Sequence, residues 1–264
     1  MKLSVCICMV FREEQDFARR ISRVKEAGLP AFEFWGWSGV NLDAVAAAKK
    51  ETGLDLAAIC VDSADPAMKQ AWPKGILVNP EMRPVFVAAV RESLPVANRL
   101  GCPTLIATVG NDQPGLSPWQ MHDSIVAGLQ AVAADVEKAG VTIVLEPLNT
   151  LVNHKGYYLW SSREGFDICR AVGSPNVKLL FDIYHQQIME GNIIQNITEN
   201  IGMIGHFHSA DVPGRHEFGT GELNYAGILR AIDAAGYQGY VGLEYGPTGD
   251  SAASLAQIRR IVGA

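Results

Sequence analysis

Eight short apolar or β-branched runs recur along this chain, and longer amphipathic stretches lie between them. The runs are LSVCICM (3–9), AFEFW (31–35), LDLAAICVD (54–62), TLIATVG (104–110), VTIVLEP (141–147), VKLLFD (177–182), MIGHFHSAD (203–211) and YVGLEY (240–245). A run that is apolar on both sides has no solvated face, so it predicts a strand in a parallel sheet covered by helices. The segments near 13–27, 42–52, 81–100, 118–139, 161–172, 186–200, 224–235 and 251–262 supply those helices. Several end on a glycine, Gly101 and Gly140 among them, where a left-handed residue closes a helix. Eight such units in 264 residues give about 33 each, which predicts an α/β fold, a single (β/α)8 TIM barrel spanning 1–264. An open doubly wound sheet fits less well, because Met9-Val10-Phe11-Arg12 follows the first run where a Gly-rich phosphate loop would stand. The longest irregular stretch is 63–80, on the face where barrels keep their chemistry, and it reads as either a lid or a surface excursion.

A chain that is 48% hydrophobic can fill a barrel core. The net charge of −6, with no dense basic patch, argues against a nucleic-acid partner, since phosphate neutralisation supplies most of that affinity. The apolar stretch near the N-terminus is too short for a signal peptide and no segment reaches membrane-spanning length. Cys6, Cys8, Cys60, Cys102 and Cys169 are odd in number and mostly sit in apolar runs. Free buried thiols and a cytoplasmic location are expected.

Four consecutive runs end in an ionisable side chain. Glu146 closes VLEP, Asp182 closes LLFD, His208 lies in HFHSAD and Glu244 closes GLEY, at separations of 36, 26 and 36 residues. Each separation is close to one βα unit, so a barrel would deliver all four to one rim. Three clustered carboxylates repel unless a cation compensates them. Three oxygen ligands and one imidazole suit one divalent ion, Mn²⁺ or Mg²⁺ first, with Co²⁺ or Zn²⁺ also compatible.

Three of the six histidines lie in 206–222. His206 and His208 share a side of their strand, with His206 one layer deeper, in a hydrogen-bonded or supporting place. Arg215, in the loop that follows, is expected either to hold a substrate oxygen by its fork of donors or to pair with Glu217 or Glu222 and pin the loop. His185, three residues after Asp182, is a candidate donor to a substrate oxygen. Tyr184, His122 and His154 read as structural. Trp35 and Trp37 lie near the mouth, and the register of Glu33 is not fixed by the sequence.

The segments LEPLN, KGYYL, VGSPNVKLLFDIYHQQIMEGN, IGHFHSADVPGRHEFGTGELNY and GYVGLEY closely resemble those of hydroxypyruvate isomerases, within the xylose isomerase-like TIM-barrel superfamily. The resemblance runs over essentially the whole chain and is strongest from about 141 to 246. It implies a metal at Glu146, Asp182, His208 and Glu244, with Glu146 and Glu244 also moving protons. It implies an isomerase that converts hydroxypyruvate to tartronate semialdehyde through an enediolate, a small hydroxycarbonyl substrate that His185 and Arg215, by their positions in the sequence, are expected to bind. A homo-oligomer is compatible with it. That branch commonly carries glutamine where His208 stands, whereas histidine resembles the ketose 3-epimerases of the tagatose/psicose type. Those epimerases carry a further glutamate shortly after Glu-x-x-Asn, and Asn149-Thr150-Leu151-Val152 lacks one. Both substrates stay open. An endonuclease IV-like nuclease would need a histidine-rich three-zinc site, and a binding barrel without turnover would not need the intact ligand set.

Overall fold

The computed structural model describes residues 1–263. Nine short strands form one parallel sheet: β1 (Lys2–Cys6), β2 (Ala31–Glu33), β3 (Asp55–Leu56), β4 (Ile59–Cys60), β5 (Thr104–Ala107), β6 (Thr142–Leu145), β7 (Val177–Asp182), β8 (Ile204–Ser209) and β9 (Tyr240–Leu243). Their order is β3-β2-β1-β9-β8-β7-β6-β5-β4. The two ends of that order, β3 and β4, are pieces of the one apolar run at 54–62, parted only by Ala57 and Ala58. On one side the Ala57 N–H donates to Phe32 O at 2.8 Å, and on the other the Val61 N–H donates to Ile106 O at 2.8 Å. The third run therefore pairs with both neighbours and closes the ring, giving a TIM barrel with eight strand positions.

Around it lie α1 (Phe17–Glu26), α2 (Leu42–Thr52), α3 (Pro66–Ala71), α4 (Arg83–Leu100), α5 (Pro118–Ala139), α6 (Ser162–Val172), α7 (Ile183–Met189), α8 (Ile193–Asn200), α9 (Tyr225–Ala234) and α10 (Ser251–Val262). Side-chain caps start most of them, such as Ser117, which forms a reciprocal capping box with Gln120 at the head of α5. Two sequence expectations need correction. The single helix expected at 186–200 is two, α7 and α8, because Gly191 and Asn192 both take left-handed backbone, Asn192 at φ 49°. The stretch 63–80 is not irregular throughout: it holds α3 and a 3-10 turn at Trp72–Lys74. Its last third is anchored, with Ile76, Leu77 and Val78 buried and the Leu77 and Val78 N–H groups both donating to Val109 O.

Strand periodicity sorts the side chains into two faces. Val5, Phe32, Ile143, Leu145, Leu179, Phe181, Phe207 and Val241 pack outward under the helices in the main core. Ala58, Ile106, Val144 and Leu180 form a separate small cluster within the barrel. On the same inward face, one step nearer the strand C-termini, follow Glu146, Asp182 and His208. The apolar runs continue past the strands as the chain turns onto the rim, so Glu146 and Glu244 stand one residue beyond β6 and β9.

Candidate active site

At the mouth the four rim residues converge. One ligand atom from each of Glu146, Asp182, His208 and Glu244 lies within 4.8 Å of the others, and all four residues are buried. His208 Nδ1 is 3.1 Å from Glu146 Oε1 and 3.4 Å from Glu244 Oε2. Asp182 caps α7, its Oδ1 accepting the N–H groups of Tyr184 at 2.8 Å and His185 at 3.2 Å. That leaves Oδ2 for the cluster. Trp35 Nε1 donates to Glu244 Oε1 at 2.7 Å, so one aromatic of the Phe-Glu-Phe-Trp segment does stand at the mouth. Trp37 instead packs in the core and donates to Ser93 Oγ.

The arrangement is an anionic trap. Burial by itself would raise the Glu244 carboxyl, but the charges of His208 and Arg215 hold it well below the usual carboxylate range. Burial raises Asp182 above its ordinary value. His208 is pushed well above the ordinary imidazole value: burial opposes the charge, but Glu244 and Glu33 overcome it. Three acids around one imidazole thus demand positive charge, and the oxygen-rich donor set fits a divalent cation.

Arg215 meets part of that demand. Its guanidinium donates to Glu244, lies 3.8 Å from Asp182 Oδ2 and stacks over the Tyr184 ring, 5.2 Å from the centroid. It pairs with neither Glu217, which accepts from Thr248, nor Glu222, which accepts from Gln187. What pins its loop is Asp211, fully buried, whose carboxylate accepts from the N–H groups of Val212, Gly219, Gly221 and Leu223. Gly221 has no room for a side chain, since a Cβ would lie 2.0 Å from Val212 O. The acid-rich stretch from 206 to 222 therefore divides its work: one part faces the mouth and another holds the loop.

His185 is fully buried beside the cluster. Its Nδ1 accepts the Asn149 N–H at 3.1 Å, which leaves the proton on Nε2, 3.5 Å from Asp182 Oδ2 and without a hydrogen-bond partner. Burial, then the charge of Arg215, push its value down to about 3, so the ring is neutral and able to donate. His154, expected to be merely structural, packs edge-on against His185 with centroids 5.3 Å apart. His122 lies elsewhere, 3.4 Å from Glu164.

The layer below holds His206, as its spacing from His208 suggested, together with Glu33, whose register the sequence left open. Glu33 points into the barrel, almost wholly buried. Its Oε2 accepts from Ser4 Oγ at 2.5 Å and faces His206 Nε2 at 3.0 Å, while its Oε1 lies 3.0 Å from His208 Nε2. Burial would raise its carboxyl, but the charges of His206 and His208 hold it at about 2.

With this geometry in view, comparison with known proteins places the chain. The model of the xylose isomerase-like TIM barrel matches residues 21–261. The chain belongs to that family. Its relatives include the hydroxypyruvate isomerase of Escherichia coli (strain K12), 29% identical over 97% of this chain and 97% of the relative. A 2-oxo-tetronate isomerase of Cupriavidus necator is 31% identical over 76% of this chain and 77% of its own. Both are isomerases, and within the family this chain is an isomerase homologue of that group. Among solved structures, one titled AP endonuclease, family 2, from Brucella melitensis superposes with a TM-score of 0.90 at 29% identity, covering 98% of this chain and 99% of that one. An L-ribulose 3-epimerase shares the fold with a TM-score of 0.81 at 21% identity, over 99% of this chain and 93% of that one. No helix among the described residues is long and apolar enough to cross a membrane.

Proposed function

We propose that the chain is a metal-dependent isomerase of a small α-hydroxy keto acid, hydroxypyruvate or a 2-oxo-tetronate, acting by proton transfer through an enediolate. The observation that carries this reading is the pair Glu146 and Glu244, set at 3.1 Å and 3.4 Å about one imidazole nitrogen, with Asp182 completing a buried set. Glu146, Asp182, His208 and Glu244 would hold the ion, Mn²⁺ or Mg²⁺ by donor type. When bound, it would act as a Lewis acid that acidifies the substrate's α-proton and stabilises oxyanion charge.

The chain's own groups do the rest. One glutamate removes the proton from C3 of hydroxypyruvate, the C3–H electron pair becomes the C2–C3 double bond, and the C2 carbonyl becomes an enolic oxygen. The other glutamate delivers a proton to C2, and the C3 hydroxyl passes its O–H proton to the C2 oxygen, so that C3 becomes the aldehyde and C2 the hydroxyl-bearing carbon of tartronate semialdehyde. Arg215 binds the substrate carboxylate, for which its fork of donors is matched. His185 donates from Nε2 to a substrate oxygen. Trp35, 42% exposed and bonded to Glu244, forms the outer wall, and the buried side chains beneath it keep water from the enediolate.

A ketose 3-epimerase is the second reading, favoured by histidine rather than glutamine at 208. Nothing comparable favours a nuclease: the cluster offers one imidazole among three acids, and the chain carries a net charge of −6. The test is to deplete the protein of metal, reload it with Mn²⁺, and assay hydroxypyruvate, 2-oxo-tetronates and ketoses in D₂O. The proposal expects turnover of a keto acid with solvent deuterium in the product at the reacting carbon. Turnover of ketoses alone moves the assignment to the epimerase, and activity that survives complete chelation ends the metal-dependent reading.

A further inference from the structure

The wall of a TIM barrel is ordinarily filled by branched apolar side chains, layer by layer. Here Ala58, Ile106, Val144 and Leu180 fill one side of the layer beneath the site in that way. The other side holds Ser4, Glu33 and His206, all nearly without solvent exposure. A carboxylate buried there is costly unless it is paired, and nothing in packing calls for one. Its two oxygens are used differently. Oε2 is tied to Ser4 and His206. Oε1 and His208 Nε2 approach to 3.0 Å, off the axis of a good hydrogen bond, and neither has any other partner. Two buried polar atoms that face only each other have one way of being satisfied. Gly242 keeps the approach open, because a Cβ there would lie 2.3 Å from Glu33 Oε1 and 2.7 Å from His208 Cδ2.

Resting on the metal reading above, we infer that Glu33 is the positioning residue of the site: anchored by Ser4 and His206, it takes the Nε2–H of His208 and thereby presents Nδ1 to Glu146, Glu244 and the ion. An imidazole ligand whose other nitrogen is held by a carboxylate keeps its orientation and gains basicity, and such partners commonly contribute about 10–100-fold to metal affinity. Glu33 touches neither substrate nor ion in this assignment; it acts through His208. With Nε2 turned to Glu33, Nδ1 is the nitrogen left facing the mouth: in the metal-free protein its N–H points to Glu146 at 3.1 Å and Glu244 at 3.4 Å, and the ion would take the place of that proton.

The experiment compares wild type with Glu33→Gln, which keeps the volume but removes the charge, and with Ser4→Ala, which loosens the anchor and stands in should Glu33→Gln fail to fold. Mn²⁺ binding is titrated by electron paramagnetic resonance. The ring N–H protons of the metal-free, ¹⁵N-histidine-labelled protein are followed by NMR, with the His208 signal assigned by its loss in His208→Gln. The expected result is one Mn²⁺ per chain in wild type, at least roughly tenfold weaker binding in Glu33→Gln, a smaller weakening in Ser4→Ala, and a slowly exchanging His208 Nε2–H signal that moves in both variants. Unchanged affinity together with an unmoved His208 signal overturns the assignment. A second equivalent of Mn²⁺ that Glu33→Gln abolishes also overturns it, since Glu33, His206 and His208 would then be ligands themselves. If wild type binds no divalent ion, the metal reading falls, and the His208 proton signal alone then decides whether Glu33 holds the ring.

Discussion

Replacing Arg215 with methionine removes a charge while leaving an unbranched stem over Tyr184. In the metal-free protein the guanidinium is a main cationic partner of two buried acids: Asp182 and Glu244 side chains are 1% and 6% exposed, against 18% for Arg215. Breaking a buried pair by deleting one partner costs about 3–5 kcal/mol, and the partial exposure of Arg215 favours the lower end, about 3 kcal/mol. For a chain of this size that is a fall in Tm of roughly 6–12 °C. A bound divalent ion supplies the missing charge. At a hundredfold excess over Kd it adds about 2.7 kcal/mol by mass action, and it binds more tightly where no guanidinium competes for the same oxygens. The Tm rise on Mn²⁺ addition should therefore be larger in Arg215→Met than in wild type, and the gap between them should narrow. Calorimetry in EDTA and in Mn²⁺ reads both quantities. A gap of equal size in the two conditions refutes the reasoning, because Arg215 and the ion would then not be coupled through Glu244 and Asp182.

Glu146→Gln and Glu244→Gln should each lower turnover at least roughly a hundredfold, the scale of a lost general acid or base, with folding intact by circular dichroism; near-normal rates in both would remove the proton-transfer assignment. The carboxyl of Glu33 is depressed to about 2, so its stabilisation is fully present above the unfolded value near 4.5 and is lost as pH falls through about 2. Unfolding free energies of wild type and Glu33→Gln from urea titrations should thus differ by roughly 3 kcal/mol near pH 5, by roughly half that near pH 3, and converge as pH falls through about 2; a constant gap would contradict it. In the stretch after β4, hydrogen exchange should slow on substrate addition in α3 and the following 3-10 turn, while Ile76–Val78, already buried against Val109, should not change. Equal protection of α3 with and without substrate would leave it as a plain surface excursion.

How far the sequence could be read follows from what each signal depends on. The runs and helices were legible because strands buried on both faces are continuously apolar and because helical stretches keep their 3.6-residue pattern. The four rim residues were legible because an ionisable group at the end of an apolar run stands out and recurs at unit spacing. Glu33 was not, because its neighbours Ala31, Phe32, Phe34 and Trp35 are apolar on both sides and a three-residue strand carries no inward–outward contrast. The partner of Arg215 was not, because Asp211 aims the loop through contacts up to twelve residues away. The break after α7 turned on the local backbone of Gly191 and Asn192. His154 reads as a structural loop residue, and its place beside His185 follows only once Asn149 and Asn153 bond to each other within that loop.

The layering ties these observations together. Because alternate residues share a face, a ligand at the rim fixes what lies two positions earlier: Leu180 beneath Asp182, Val144 beneath Glu146, Gly242 beneath Glu244 and His206 beneath His208. Beneath the first two the layer is dry hydrocarbon, which stiffens the wall and needs no pairing. Beneath the last two it is a glycine and a histidine, which together admit a carboxylate reaching across the interior from β2, on the far side of β1. The one nitrogen ligand of the set is also the one with a polar atom directly behind it. A carboxylate binds a cation with either oxygen and tolerates an apolar floor, whereas an imidazole presents a lone pair only if its other nitrogen holds the proton. The polar side of the layer therefore lies where the chemistry of the ligand above requires it.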